Sequence, residues 1–182
     1  MTQHIRAPND RIGVIIGQKG NTKKIIEEKG QCKLKIDSKT GMVQIHDAKD
    51  PLEELRTRDA IAAIARGFSP EKALRIMDEE ELTLETINLS NIATNEKEIK
   101  RISSRIIGTN GRMREHIEKM TDCNISIYGK TISIIGKPKE KQTAHTSIQM
   151  LINGAPHGPV YSFLEKKYRE MIEQELLHPR KE

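Results

Sequence analysis

Two glycines with two residues between them occur twice in the 182-residue chain, each pair followed by cations. Gly17-Gln18-Lys19-Gly20 runs into Lys23 and Lys24, and Gly108-Thr109-Asn110-Gly111 runs into Arg112 and Arg114. Glycine lets the chain turn sharply and keeps Cβ atoms out of the way. A helix starting just after such a turn presents free N–H groups and a positive dipole end. Bare backbone, a helix start and two or three cations together suit contact with phosphate groups. The spacing excludes the mononucleotide P-loop, which needs GxxxxGK[ST] where this chain has GQKGNTKK. It also lacks the third glycine of the dinucleotide fingerprint. A lone GxxG is a weak motif, explained equally by a tight helix–helix turn with solvated lysines after it. Its repetition at equivalent places carries the argument.

Aligning Gly17 with Gly108 also pairs Gly20 with Gly111, Ile26 with Ile117, Glu27 with Glu118 and Cys32 with Cys123. Leu34 and Ile36 then fall on Ile125 and Ile127, and closing a two-residue gap puts Val43 and Ile45 on Ile132 and Ile134. A duplicated unit explains this economically. The elements that must position each loop read alike in both copies. QHIRAP and LTLETINL open them as strands. NDRIGVIIG and NEKEIKRISSRIIG follow as helices, with Asn9 and Asn95 as expected N-caps. Beyond each loop come a second helix, GNTKKIIEEK or GRMREHIEKM, and two alternating strands, QCKLKID with MVQIH and CNISIY with TISII. SKTG and Gly129-Lys130 make the hairpin turns. A longer helix closes each copy, over 51–66 and 139–152. SPEKALRIMDEEE reads as a short connecting helix, GAPHGP (154–159) as a breaker-rich loop, and Tyr161, Leu164, Tyr168, Ile172 and Leu176 as the stripe of a C-terminal helix. That stripe serves packing against one unit or docking of a partner protein.

Charge is unevenly distributed. Residues 1–46 hold nine Lys/Arg and four Asp/Glu, net +5; residues 47–100 hold eight and thirteen, net −5. Residues 101–153 hold nine and four, net +5, and 154–182 hold five of each. Two equivalent basic blocks point to a polyanionic partner. With two Phe, three Tyr and no Trp, the chain lacks the exposed aromatics on which RRM and OB-fold binders stack bases. No apolar run approaches membrane-spanning length, and MTQHIRAPND has no apolar signal core, so a cytoplasmic location is expected. Cys32 and Cys123, at equivalent positions of separate units, are expected to be small buried side chains, not a disulfide.

Catalytic chemistry finds little support. The six histidines, His4, His46, His116, His145, His157 and His178, form no metal-ligand spacing. His157 reads as a loop or capping residue, and the carboxylates as solvated helix faces. No enzyme, metal or cofactor is expected.

The order β-α-GxxG-α-β-β-α, carried by Ile15-Ile16-Gly17-Gln18-Lys19-Gly20 and Ile106-Ile107-Gly108-Thr109-Asn110-Gly111, resembles the type I KH domain. The resemblance implies an α+β fold: two tandem KH domains, each a three-stranded antiparallel sheet packed on helices, plus a C-terminal helix. The expected division is 1–68 and 81–153 for the domains, 69–80 for the connecting helix and 154–182 for the loop and terminal helix. In that family the GxxG loop clamps about four single-stranded nucleotides, and bases lie on an aliphatic platform. The expected RNA-binding set is therefore Ile16, Gly17, Gln18, Lys19, Gly20, Lys23 and Lys24, with Ile107, Gly108, Thr109, Asn110, Gly111, Arg112 and Arg114. Ile16 and Ile107 are the best platform candidates; Ile26, Leu34, Ile36, Ile117, Ile125 and Ile127 are mainly core. Ser104, which stands where the first copy has Gly13, is the one departure near the loop. A largely structured connection predicts a rigid pair reading about eight to eleven nucleotides, at about four per module plus a spacer.

The whole layout, including GAPHGPVYSFLEKKY, is similar to the archaeal form of the partner-of-Nob-one family of ribosomal RNA-processing proteins. The resemblance implies binding of single-stranded RNA near the 3′ end of 16S rRNA. It also implies work beside the endonuclease that trims that end, with ribosome-assembly or translation initiation factors as further partners and no membrane. Eukaryotic members have a degenerate first GxxG, whereas Gly17 and Gly20 are intact here. The alternatives are a KH protein-docking adaptor, with one module serving as an interface, and a general regulator of messenger RNA.

Overall fold

The computed structural model describes residues 3–179; the outer limits of the expected first and last segments, 1–2 and 180–182, lie outside the described residues. The first unit runs β1 (Gln3–Arg6), α1 (Asn9–Ile16), α2 (Asn21–Gly30), β2 (Lys33–Asp37), β3 (Met42–His46) and α3 (Pro51–Ala65). After α4 (Pro70–Asp78) the second repeats the order as β4 (Thr83–Asn88), α5 (Glu96–Ile107), α6 (Arg112–Thr121), β5 (Asn124–Tyr128), β6 (Thr131–Gly136) and α7 (Pro138–Ile152). α8 (His157–Leu177) closes the described chain. Each unit has a three-stranded antiparallel sheet, ordered β1-β3-β2 and β4-β6-β5, so β2 and β5 are edge strands.

The register follows the sequence alternation. Pairing Leu34 with Ile45 and Ile36 with Val43 puts these side chains on the helix-facing side. There they meet Ile12, Ile15 and Ile26 of α1 and α2 in the first core. Ile125, Ile132 and Ile134 do the same for the second, against Ile106, Met113, Ile117 and Ile148. Burying each such Ile contributes roughly 1.5–3 kcal/mol. With almost no aromatics available, isoleucine stacking is what makes two small cores sufficient.

The opposite sheet faces diverge. In the first unit it carries exposed or half-exposed polar residues, among them His4, Arg6, Lys33 and Lys35. In the second, Ile135 on that face is buried in the first unit's core with Ala73, Ile76 and Leu82. Around it, Ser126 Oγ donates to the Arg66 carbonyl at 2.8 Å, Arg75 reaches Asn124 at 3.2 Å, and the Tyr128 hydroxyl donates to Asp10. α4 is thus more than a connector: its Ala73, Ile76 and Met77 complete the first core. A Cβ at Gly67 would lie 2.6 Å from Ser126 Oγ, so only glycine lets the two units approach this closely.

Three local expectations change. Asn9 is the first helical residue, not the cap; Pro8 occupies that position with no side-chain bond, its fixed φ leading into α1. Asn95 does cap α5, accepting from Glu98 N at 2.9 Å. The breaker loop is shorter than 154–159 because α8 already starts at His157; Pro159 sits in the first turn, where its missing N–H has no helical partner to lose. Only the front of the terminal stripe is covered: Leu164 is buried, while Tyr168 and Ile172 are 37% exposed and Leu176 78%. Cys32 and Cys123 are buried and unpaired, just before the edge strands. Burial pushes both thiols up, that of Cys123 to about 11.

Candidate nucleic-acid interface

The two GxxG loops adopt one conformation. Gly17, Lys19 and Gly20 have φ of 75°, 54° and 76°, and Gly108, Asn110 and Gly111 have 73°, 55° and 75°. Each loop is one tight turn between two α-helices, closed by a bond from Gly20 N to the Gly17 carbonyl or from Gly111 N to the Gly108 carbonyl, each at 3.2 Å. Such agreement between loops sharing only their glycines means that backbone geometry, not side-chain chemistry, defines the device.

The two glycines of each loop have different reasons. A Cβ on Gly17 would stand 2.7 Å from Thr22 N, and one on Gly108 2.9 Å from Met113 N, because the loop folds back against the next helix. A Cβ on Gly20 would meet nothing within 4 Å, and one on Gly111 only the Arg114 and Glu115 side-chain ends at 3.9 Å. The first glycine makes the turn; the second leaves open the side from which a phosphate can approach.

Gln18, Lys19, Thr109, Asn110, Lys24 and Arg112 are exposed or half-exposed around these openings. Lys23, Arg114, Ile16 and Ile107 are half-buried, which suits platform residues. Gln18, Lys19, Asn21 and Lys24 line a hollow of about 410 Å³ at the first loop. Beside the second loop, a cleft of about 350 Å³ joins Arg114 to Ile125 and Ile127 on the edge strand. Ile26, Ile117, Leu34 and Ile125 are fully or almost fully buried, while Ile36 and Ile127 are partly exposed. Gly13 has open space around it, so Ser104 disturbs nothing at the equivalent place. A larger hollow, about 730 Å³, lies between α8, α6 and α7, away from both loops.

Second helix and edge strand form the two walls behind each loop, and a paired carboxylate ties them. Glu27 accepts from Leu34 N and Glu118 from Ile125 N, both at 2.8 Å. The internal repeat displays this pair; only the structure gives its role. Replacing Glu118 by Ala should destabilise the protein by about 1.5–3 kcal/mol, and Glu118→Gln by less because an acceptor remains. Thermal unfolding followed by circular dichroism checks this.

The histidines have ordinary surroundings. His157 Nε2 bonds the Arg105 carbonyl at 3.1 Å, and Arg105 donates to the Ala155 carbonyl, tying the 153–156 loop to the helix end beside Gly108. His116 packs edge-on against Tyr161, ring centroids 4.5 Å apart, and burial lowers its pKa. Among the described residues, no group of three or more His, Cys, Asp or Glu is placed to hold a metal ion, and no helix is long and apolar enough to cross a membrane.

Two family models match the chain. Residues 83–169 match a eukaryotic-type KH domain (KH-domain type I), and residues 2–53 match the general KH domain. A KH domain-containing protein of Methanocaldococcus jannaschii is 41% identical over 170 residues, covering 92% of this chain and 74% of that protein. The crystal structure of Dim2p from Pyrococcus horikoshii is 45% identical with a TM-score of 0.85, covering 91% of this chain and 99% of its own. A chain in the a/eIF2alpha–aDim2p–rRNA complex from the same organism is 44% identical, TM-score 0.86, with 93% and 95% coverage. A protein of unknown function from Aeropyrum pernix is 31% identical, TM-score 0.90, with 97% and 95% coverage.

Proposed function

This chain belongs to the archaeal two-KH-domain partner-of-Nob-one family, and from that premise we propose that it binds single-stranded small-subunit ribosomal RNA near its 3′ end as a ribosome biogenesis factor. The carrying observation is the pair of matching GxxG loops, each followed by cations on the next helical turn. An adaptor with one working module has no need to keep both. A similar chain occurs in a complex with rRNA and a/eIF2alpha, which supports RNA and a translation initiation factor as partners here as well.

In this reading 1–68 and 81–153 are the binding modules, joined by 69–80, and 154–182 is the loop and C-terminal helix, whose Val160 and Leu164 pack on the second module. The binding residues are Ile16, Gly17, Gln18, Lys19, Gly20, Lys23 and Lys24 in one module, and Ile107, Gly108, Thr109, Asn110, Gly111, Arg112 and Arg114 in the other. Phosphates approach over Gly20 and Gly111, cations of the following turn neutralise them, and bases rest against Ile16 and Ile107. The protein is not itself a nuclease and acts beside the one that trims the RNA. Its location is cytoplasmic.

Crosslinking the protein to total RNA and sequencing the footprint tests this. A footprint at the 3′ end of 16S rRNA is expected, with RNA left intact by the purified protein in magnesium. Enrichment of messenger RNA with no ribosomal signal would sink the proposal.

A further inference from the structure

We propose that the outer face of the first module's sheet is a further RNA site, one that takes the phosphate backbone of double-stranded RNA. This rests on the RNA-binding reading above and adds to it a site separate from both GxxG loops.

Antiparallel pairing sets Lys35, Gln44 and His4 in one row across that face, with Arg6 in the next row and Lys33 opposite His46. His4, Arg6, Lys33 and Lys35 are exposed. Among the described residues, neither lysine nor Arg6 is in an ion pair. The face's one carboxylate, Asp37, is held by its own turn, accepting from Lys39 N at 2.9 Å and Thr40 N at 3.4 Å. The two lysines stand about 7 Å apart along β2, and Arg6 lies two strands away, about 10 Å across the sheet. Cations fixed this close on a rigid sheet repel one another, and an anion of matching spread relieves the repulsion.

The second module shows what the same face looks like under a protein cover. Its corresponding rows, Ser126-Ser133-Thr86 and Tyr128-Thr131-Asn88, carry no charge, and Ile135 in the third is buried in the first module's core. The first module's face has no such anchor; Met42, its one apolar side chain in the paired rows, is half-buried. A protein interface needs an apolar centre, whereas phosphate contacts need only charge. A single strand would need rings on which to stack its bases. The face offers no Phe, Tyr or Trp, and His46 is engaged with Gln44, its Nε2 3.2 Å from Oε1. A duplex hides its bases and is recognised through shape, phosphates and 2′-hydroxyls, which suits cations spread in two dimensions over a flat face. Since β2 is also a wall of the first groove, a helical stretch flanking the bound single strand reaches this face by rounding one strand.

The probe is a fluorescein-labelled blunt RNA duplex of about 16 base pairs, the span of a double-strand-binding domain. It is titrated against the full chain by anisotropy at several salt concentrations, beside a single strand copied from the 3′ end of a small-subunit rRNA. The wild-type chain should bind both. Lys33→Gln/Lys35→Gln, at exposed strand positions that leave the core residues Leu34 and Ile36 in place, should weaken duplex binding about ten-fold and lower its salt slope by about two. The single strand's affinity should stay unchanged in that variant, and Thr109→Asp/Asn110→Asp should show the reverse pattern. If the wild-type chain binds the single strand and not the duplex, the site falls and the functional reading stands; if it binds the duplex and not the single strand, the functional reading falls and the site stands. Equal losses of both RNAs in Lys33→Gln/Lys35→Gln overturn the site, because the face then serves the single strand. An equal loss of duplex binding in Lys97→Gln/Lys100→Gln, exposed on α5 of the second module, overturns it as an effect of overall charge. Poly-glutamate that binds more tightly than the duplex, and is weakened by the same variant, overturns it in favour of an acidic protein.

Discussion

Thr109→Asp/Asn110→Asp is expected to lower RNA affinity by about 100-fold, and Gln18→Asp/Lys19→Asp to do the same from the other module. The size follows from linkage. Two modules joined by packed structure meet one RNA strand at high effective concentration, which multiplies a single module's affinity by about 10² to 10⁴; silencing either loop removes that factor. The substitutions act on binding and not on the fold. None of the four side chains is buried. Lys19 and Asn110 sit at φ 54° and 55°, where aspartate is among the better tolerated residues. Asn110→Asp is close to isosteric, so the added charge facing the phosphates is its main change. The salt dependence should fall with it, by about 0.7 for each phosphate of a single strand that is no longer neutralised. Anisotropy titrations of both double variants decide between the two-module reading and the adaptor. Equal losses require two working grooves; loss from one loop with wild-type affinity in the other establishes the adaptor.

Much of this is legible in the sequence because the duplicated units repeat their physics. The apolar residues alternating in CKLKI and CNISI fall on the core face, and the glycine pairs sit at the helix junctions that their spacing demands. What escapes belongs to one copy alone. Ile135 follows Ile134 and breaks the alternation of the last strand. That run signals a strand covered on both faces, but not that the second cover is α4 and the first module. Tyr128, Arg11 and Lys72, which line the cleft together, have no counterpart in the internal repeat, since the contact joins non-equivalent surfaces. Asn9 misleads because a good capping residue stands beside a proline whose rigid φ already leads into the helix. The terminal stripe reads as one continuous face, yet the last turns of α8 face a hollow towards α6 and α7, and Leu176 is left exposed.

The glycines themselves give the other large effect, and it separates two roles that the motif presents as one. Gly17 and Gly108 have φ, ψ of 75°, 175° and 73°, 177°, a region that residues with a Cβ essentially do not enter. Their Cβ atoms would also overlap backbone of the following helix, at 2.7 and 2.9 Å. Strain of about 1–3 kcal/mol adds to a clash that only a backbone shift relieves. Gly17→Ala and Gly108→Ala are therefore each expected to lose about 3 kcal/mol or more, out of the roughly 5–15 kcal/mol typical of a folded domain. At this chain length that is a fall in Tm of about 6–12 °C. Gly20 and Gly111, at 76°, 13° and 75°, 8°, lie where asparagine is tolerated, with open space beyond. Gly20→Asn and Gly111→Asn should keep Tm within about 3 °C of wild type while placing a side chain where the phosphate must pass, so RNA affinity falls and stability does not. Thermal unfolding and anisotropy on the same four variants read the two effects independently. If the second-glycine variants bind RNA normally, the open side of the loop is not the phosphate's approach; if the first-glycine variants are as stable as wild type, the turn does not depend on a bare backbone.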